Sequence, residues 1–198
     1  MGEHLPEVYL ARHGETAWSL SGQHTGMTDI PLTPRGERNA SNLGLRLLEF
    51  NFPQVFTSPL QRARRTCELA GFGKQAVVDP DLVEWNYGDY EGRTTADIRR
   101  ERPDWILFRD GCPGGESPAD VSSRADRVVA RLRALQANVL LFSSGHFLRV
   151  LGARWCGLDV ASAMRLYLGT ATLSAVGYEH GVAQPVIRLW NDSRHVVG

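Results

Sequence analysis

Apolar positions along this chain follow two spacings, and each spacing predicts a different element. Short apolar or alternating runs at 7–12, 54–57, 75–79, 139–143, 172–179 and 185–190 predict β-strands. Between them, apolar residues recur at helical spacing. Thr33-Pro34 supplies a cap followed by proline at the first helical position, and Leu43, Leu47 and Phe50 continue the pattern. Ser58-Pro59-Leu60-Gln61 reads as a capping box that opens a helix directly after the second strand. Ser117-Pro118-Ala119-Asp120 opens a long amphipathic helix through Val121, Ala125, Val128, Leu132 and Leu135. Residues 147–156 predict a buried helix behind strand 139–143.

Strands that alternate with helices imply an α/β fold: a three-layer α/β/α sandwich over a mostly parallel central sheet. The last two strands are joined at His180-Gly181, which suggests an antiparallel edge strand. No repeat or low-complexity linker divides the chain, so a single domain over 1–198 is expected. The stretch 85–116, rich in Gly, Trp and Asp, is read as an irregular flap over the site.

Composition removes several functions. Formal net charge is zero, so no basic field draws nucleic acid or an anionic membrane. No run approaches the length of a membrane span, and MGEHLPEVYL lacks the basic and apolar regions of a leader. Three widely spaced cysteines, Cys67, Cys112 and Cys156, fit a reducing compartment, so a cytoplasmic location is expected. The histidines show no metal-ligand spacing, and neither a metal nor another cofactor is expected. The sequence leaves room for a homodimer.

Ligands of open α/β sheets sit beyond the carboxyl ends of the strands. Strand 7–12 ends at Arg12-His13, and strand 54–57 leads to Arg62 in the next helix. Strand 75–79 leads to Glu84-Trp85-Asn86-Tyr87, and strand 139–143 to Ser144-Gly145-His146. The start of the helix after strand 54–57 adds N–H groups and a positive dipole end. Each residue alone has an ordinary structural explanation; together they suit phosphoryl transfer. His13 would attack phosphorus, Arg12 and Arg62 would hold its oxygens, and Glu84 would move the protons. Trp85, Tyr87, Tyr90 and Trp105 either shape a pocket or pack the flap. A Ser144–His146 hydrolase is disfavoured, because a G-x-S-x-G elbow is missing.

Ala11-Arg12-His13-Gly14-Glu15-Thr16 resembles the signature of the histidine phosphatase superfamily, the phosphoglycerate-mutase-like enzymes. The resemblance continues through Gly22-Gln23-His24-Thr25-Gly26, Ser58-Pro59-Leu60-Gln61-Arg62-Ala63, Glu84 to Gly92, Gly114-Gly115-Glu116-Ser117 and Gly145-His146-Phe147-Leu148-Arg149. It implies His13 as phosphate acceptor, Glu84 as proton donor, Arg12 and Arg62 as phosphate clamps, and a substrate site lined by Thr25, Gly26, Gly145 and His146. Ser19 and Tyr87 are further substrate-binding candidates. Within the family the chain is most similar to sugar-phosphate and broad acid phosphatases of the sedoheptulose-bisphosphatase-like type. Ser19 stands where mutases usually carry asparagine, and only 93–113 separates the Glu84 motif from Gly-Gly-Glu-Ser. A phosphatase of small phosphorylated metabolites is therefore favoured over a mutase.

One position departs from the pattern. The family places a second catalytic histidine before the glycine of its last motif, and here that residue is Ser144. Its neutral hydroxyl implies weakened turnover, replacement by another donor, or a protein that binds phosphoesters without hydrolysing them.

Overall fold

The computed structural model describes residues 5–197. The first four residues of the segment read for a leader, and the ends of the 1–198 span, lie outside the described residues. Strands β1 (Val8–Arg12), β2 (Gln54–Thr57), β3 (Val77–Val78), β4 (Val139–Ser143), β5 (Leu173–Tyr178) and β6 (Pro185–Asp192) form one sheet in the order β3-β2-β4-β1-β5-β6. β3, β2, β4 and β1 run parallel. β5 is antiparallel to both β1 and β6, so the sheet ends in an antiparallel pair with β6 as the edge strand.

The two faces of the sheet are covered differently. Along β1, Val8 and Leu10 join a large cluster with helices α6 (Pro118–Leu135) and α7 (Gly145–Trp155). Tyr9 and Ala11 point the other way, to a smaller cluster with α2 (Pro34–Leu47) and α3 (Gln61–Leu69). This two-residue alternation places helices on both sides of the sheet.

Cap chemistry explains where the helices begin. Thr33 Oγ1 accepts from Gly36 N at α2, and Ser117 and Asp120 form a reciprocal capping box at α6. The box suggested at Ser58 does not form: α3 begins at Gln61, with Leu60 as a cap residue that makes no side-chain bond. Asp29 takes the cap's place, accepting from Gln61 N at 2.8 Å while the Gln61 side chain donates to Asp29 O at 2.6 Å. That carboxylate occupies the positive end of α3, which the sequence had suggested was free for a ligand.

Helix α1 (Ala17–Ser21) was not expected from the pattern. Residues 85–116 are also more regular than their composition suggests. They contain a 3-10 turn (Gly88–Tyr90) and helices α4 (Thr95–Glu101) and α5 (Leu107–Asp110). A Thr94–Asp97 capping box starts α4. Trp85, Tyr90 and Trp105 are buried in the larger cluster, so these rings are packing residues.

Candidate active site

Arg12, His13 and Ser144 meet because β1 and β4 are parallel neighbours. Arg12 pairs with Ser143 in register, and His13 N donates to Ser143 O at 2.9 Å. His13 and Ser144 are therefore the first residues past the last rung of adjacent strands. Beyond them lies a cavity of about 240 Å³ lined by Arg12, His13, Ser19, Thr25, Glu84, Tyr87, Gly145 and His146. Gln23, His24, Thr95, Arg149 and Leu168 complete much of its wall.

The His13 ring has a defined proton arrangement. Nδ1 lies 2.7 Å from Gly14 O, an atom that can only accept, so the neutral ring carries its proton there. Nε2 has no protein partner and opens on the cavity. Burial, followed by the charges of Arg62 and Arg12, holds the His13 pKa well below the usual histidine value. The imidazole is thus an uncharged base with its lone pair aimed outward.

The two guanidinium groups differ in placement. Arg12 Nη1 donates to Leu168 O at 2.5 Å, and its plane packs on Gly145, where a Cβ would come within 3.0 Å of Arg12 Cζ. A larger residue there would make the guanidinium give by a few tenths of an ångström. Arg62 is fully buried and does not reach the cavity wall. It ties down the preceding loop, donating to Thr25 O (3.0 Å), Gly26 O (2.8 Å) and Thr28 O (3.0 Å). In both residues Nε is buried without a partner. Gly26 also lies behind the wall, packed against Glu91, Trp85 and Tyr87.

Glu84 is held by main-chain donors. Oε1 accepts from Trp85 N (2.9 Å) and Phe147 N (2.8 Å), and Oε2 accepts from His146 N (3.0 Å). His146 and Phe147 occupy the first turn of α7, so Glu84 acts as its N-cap from a distant part of the chain. This explains a second feature. Ser144 is the cap residue of α7 by position, yet its side chain makes no cap bond and Oγ is buried without a partner. It lies behind the wall rather than on it.

Other candidates are already committed. Ser19 Oγ donates to Thr16 O and accepts from Thr16 N, both at 2.9 Å, in the capping box of α1. Its proton is not free for a substrate. Tyr87 Oη lies 2.5 Å from His146 Nδ1. Burial, then Glu84, raises the Tyr87 pKa well above its usual value, so the phenol keeps its proton and donates it to Nδ1. Burial, then Arg149, holds His146 well below the usual histidine pKa, and its single proton is left on Nε2. Burial lowers His24 to about 4 against the opposing pull of Glu91.

Residues 8–193 match the model of the histidine phosphatase superfamily (branch 1). The chain belongs to this family. It is 44% identical over 188 residues to an acid phosphatase of Mycobacterium tuberculosis, covering 93% of this chain and 92% of that protein. It is 39% identical over 188 residues to sedoheptulose 1,7-bisphosphatase of Saccharomyces cerevisiae, covering 78% of this chain and 69% of the relative. A solved structure of an open reading frame from Mycobacterium tuberculosis superposes with a TM-score of 0.90 at 40% identity, covering 94% of this chain and 97% of that one. Among the described residues of this histidine phosphatase, no group of three or more His, Cys, Asp or Glu side chains gathers as a metal-ligand set. Nor is any helix long and apolar enough to cross a membrane.

Sequence reasoning gave Arg149 no role, although the residue sits on the cavity wall. Its signal was available: it lies three residues past His146 on one helix, a spacing that places both side chains on the same face. Thr95 and Leu168 come from segments with no such pattern.

Proposed function

We propose that this histidine phosphatase hydrolyses small phosphorylated metabolites, sugar phosphates among them, through a phosphohistidine on His13. The observation that carries the reading is the neutral His13 ring, whose Nδ1 is tied to Gly14 O and whose Nε2 opens on a cavity beside Arg12. Nε2 attacks phosphorus and the P–O ester bond breaks. The leaving oxygen takes a proton from Glu84, whose Oε2 has one protein donor and whose Oε1 has two. Water then attacks the P–N bond, Glu84 takes a water proton, and His13 is released with inorganic phosphate. Arg12, on the cavity wall with an unpartnered Nε, holds an equatorial oxygen in this reading, and Arg62 adds its charge from behind the wall. Residues 85–116 supply a cover through Tyr87 and Thr95. Three unpaired cysteines suit a reducing compartment such as the cytoplasm.

The test is phosphate release from phenyl phosphate together with alkaline quenching of the enzyme during turnover. An acid-labile, base-stable phosphoryl group on His13 is expected. Turnover with the label on another residue would remove His13 as acceptor.

Ser144 favours a second reading, a protein that binds phosphoesters and turns them over slowly or not at all. Its hydroxyl is buried, unpartnered and unable to carry charge. Ser144→His is expected to raise kcat by about 10²-fold, the usual worth of one transition-state donor. A fall in kcat would show that the serine itself serves the reaction.

A further inference from the structure

The Arg12 guanidinium is placed by a single peptide group. Its Nη1 donates to Leu168 O at 2.5 Å, and the N–H at the other end of that same planar unit belongs to Gly169. Gly169 N donates to Oδ1 of Asn191 at 2.7 Å. One rigid plane therefore carries the arginine on its carbonyl end and Asn191 on its N–H end. An acceptor on the N–H also polarises the carbonyl opposite, which strengthens its hold on the cation.

Asn191 reaches this place through an irregularity in β6. Leu173 pairs with Asp192 and Ala175 with Leu189, so Trp190 and Asn191 together face the single residue Ser174 in a β-bulge. Asn191 has φ 57°, in the left-handed region that glycine, asparagine and aspartate tolerate best. Neighbouring side chains of a regular strand point to opposite faces. The bulge turns both of its side chains onto one loop: Trp190 Nε1 donates to Tyr167 O at 2.7 Å, one peptide before the Asn191 contact. The far side of that loop holds the reactive residues by their main chain. Thr172 O accepts from Arg12 N at 3.2 Å, and Ala171 N donates to His13 O at 3.0 Å. Ala171 is itself at φ 56°, and its carbonyl accepts from His195 Nε2 at 2.6 Å. Two non-glycine residues in a costly conformation thus flank a loop that ends on Arg12 and His13.

We infer that the Trp190-Asn191 bulge is a positioning device for the reaction: Asn191 fixes the Leu168–Gly169 peptide, and through it the Arg12 guanidinium against the phosphoryl group. The assignment rests on the proposed phosphatase reading and extends it to residues whose effect passes through Arg12. This separates the bulge from an ordinary fold contact, whose loss would cost the same whatever side chain stood at position 12.

The experiment is a double-mutant cycle on kcat/KM for phenyl phosphate, with unfolding midpoints measured beside it. Asn191→Gly adopts the same φ without the acceptor, and Asn191→Asp keeps the acceptor. Asn191→Gly is expected to lower kcat/KM about 10- to 100-fold, as a reacting group displaced by about 1 Å does, while Asn191→Asp keeps most of the activity. Added to Arg12→Met, the same glycine should change the rate less than about twofold. A wild-type rate for Asn191→Gly overturns the inference, and so does an equal loss in both backgrounds. If Asn191→Gly does not fold, Trp190→Phe replaces it, keeping the ring and removing one donor to the same loop. A loss of about 3- to 10-fold that vanishes beside Arg12→Met is then expected, and any other result overturns the inference. The cycle is read a second time on the Kd of inorganic phosphate, which needs no turnover. Binding that weakens with Asn191→Gly only when Arg12 is present upholds the inference even if phenyl phosphate is not hydrolysed, and the phosphatase reading then fails by itself.

Discussion

Arg124 and Arg12 are two shielded guanidinium groups of one protein, treated in opposite ways. Arg124 is saturated by the chain itself. Its Nε and Nη2 grip Glu116 at 2.8 and 2.7 Å, and the same group donates to the carbonyls of Asp81, Val83 and Glu84. Arg12 has a single protein acceptor, Leu168 O, no carboxylate within ion-pair distance among the described residues, and an orphaned Nε. Arg62 resembles Arg12 in lacking a carboxylate and in its unpartnered Nε, although three carbonyls hold its other nitrogens. A buried cation whose counter-ion comes from the chain holds the fold together. One without a carboxylate from the chain is, in the proposed reading, the partner of an anionic substrate.

The sharpest way to break this contrast is to remove what lies between the unanswered cations. His13→Ala is expected to lower phosphate release on the order of 10⁴- to 10⁶-fold, as loss of a covalent nucleophile does, without lowering the unfolding midpoint. Arg124→Met should do the reverse. It strands the Glu116 carboxylate in a poorly solvated place and should cost about 3–5 kcal/mol in a denaturant titration. Arg12→Met should lose roughly 10²–10³ in kcat/KM while melting close to wild type. If Arg12→Met unfolds as readily as Arg124→Met, the distinction between the two arginines is wrong. Inorganic phosphate at a hundred times its Kd should stabilise wild type by about 2.7 kcal/mol, and Arg12→Met far less.

The smallest effect concerns acid. His13, His24 and His146 all have folded pKa values below 6.5, so the unfolded chain binds more protons as pH falls through that value. Their contribution is complete above pH 6.5 and declines towards the folded values, near 4 for His24. Melting temperatures between pH 7 and 4 should therefore fall with acid, and His24→Gln should flatten the slope. An unchanged slope would mean that His24 gains a proton without penalty.

Much of the site could be read from the strand ends, because each apolar run stops at a polar pair. Arg12-His13 and Ser143-Ser144 are legible for this reason, and Glu84 follows the third strand. What stayed hidden depends on partners far away in sequence. Nothing local shows that Asp29 would occupy the start of α3, or that the Arg62 guanidinium would be covered by the 25–28 loop. The short helices α1 and α4 were missed because their capping boxes use Ser19 and Asp97 in place of the longer glutamate or glutamine.

Glu84 and Ser144 face very different penalties for change. The carboxylate at 84 clasps the beginning of α7 through His146 N and Phe147 N, so its loss would fray a helix. The hydroxyl at 144 clasps nothing. Position 144 can therefore change its polar group without unpinning the start of α7, the remaining limit being the room around a fully buried side chain.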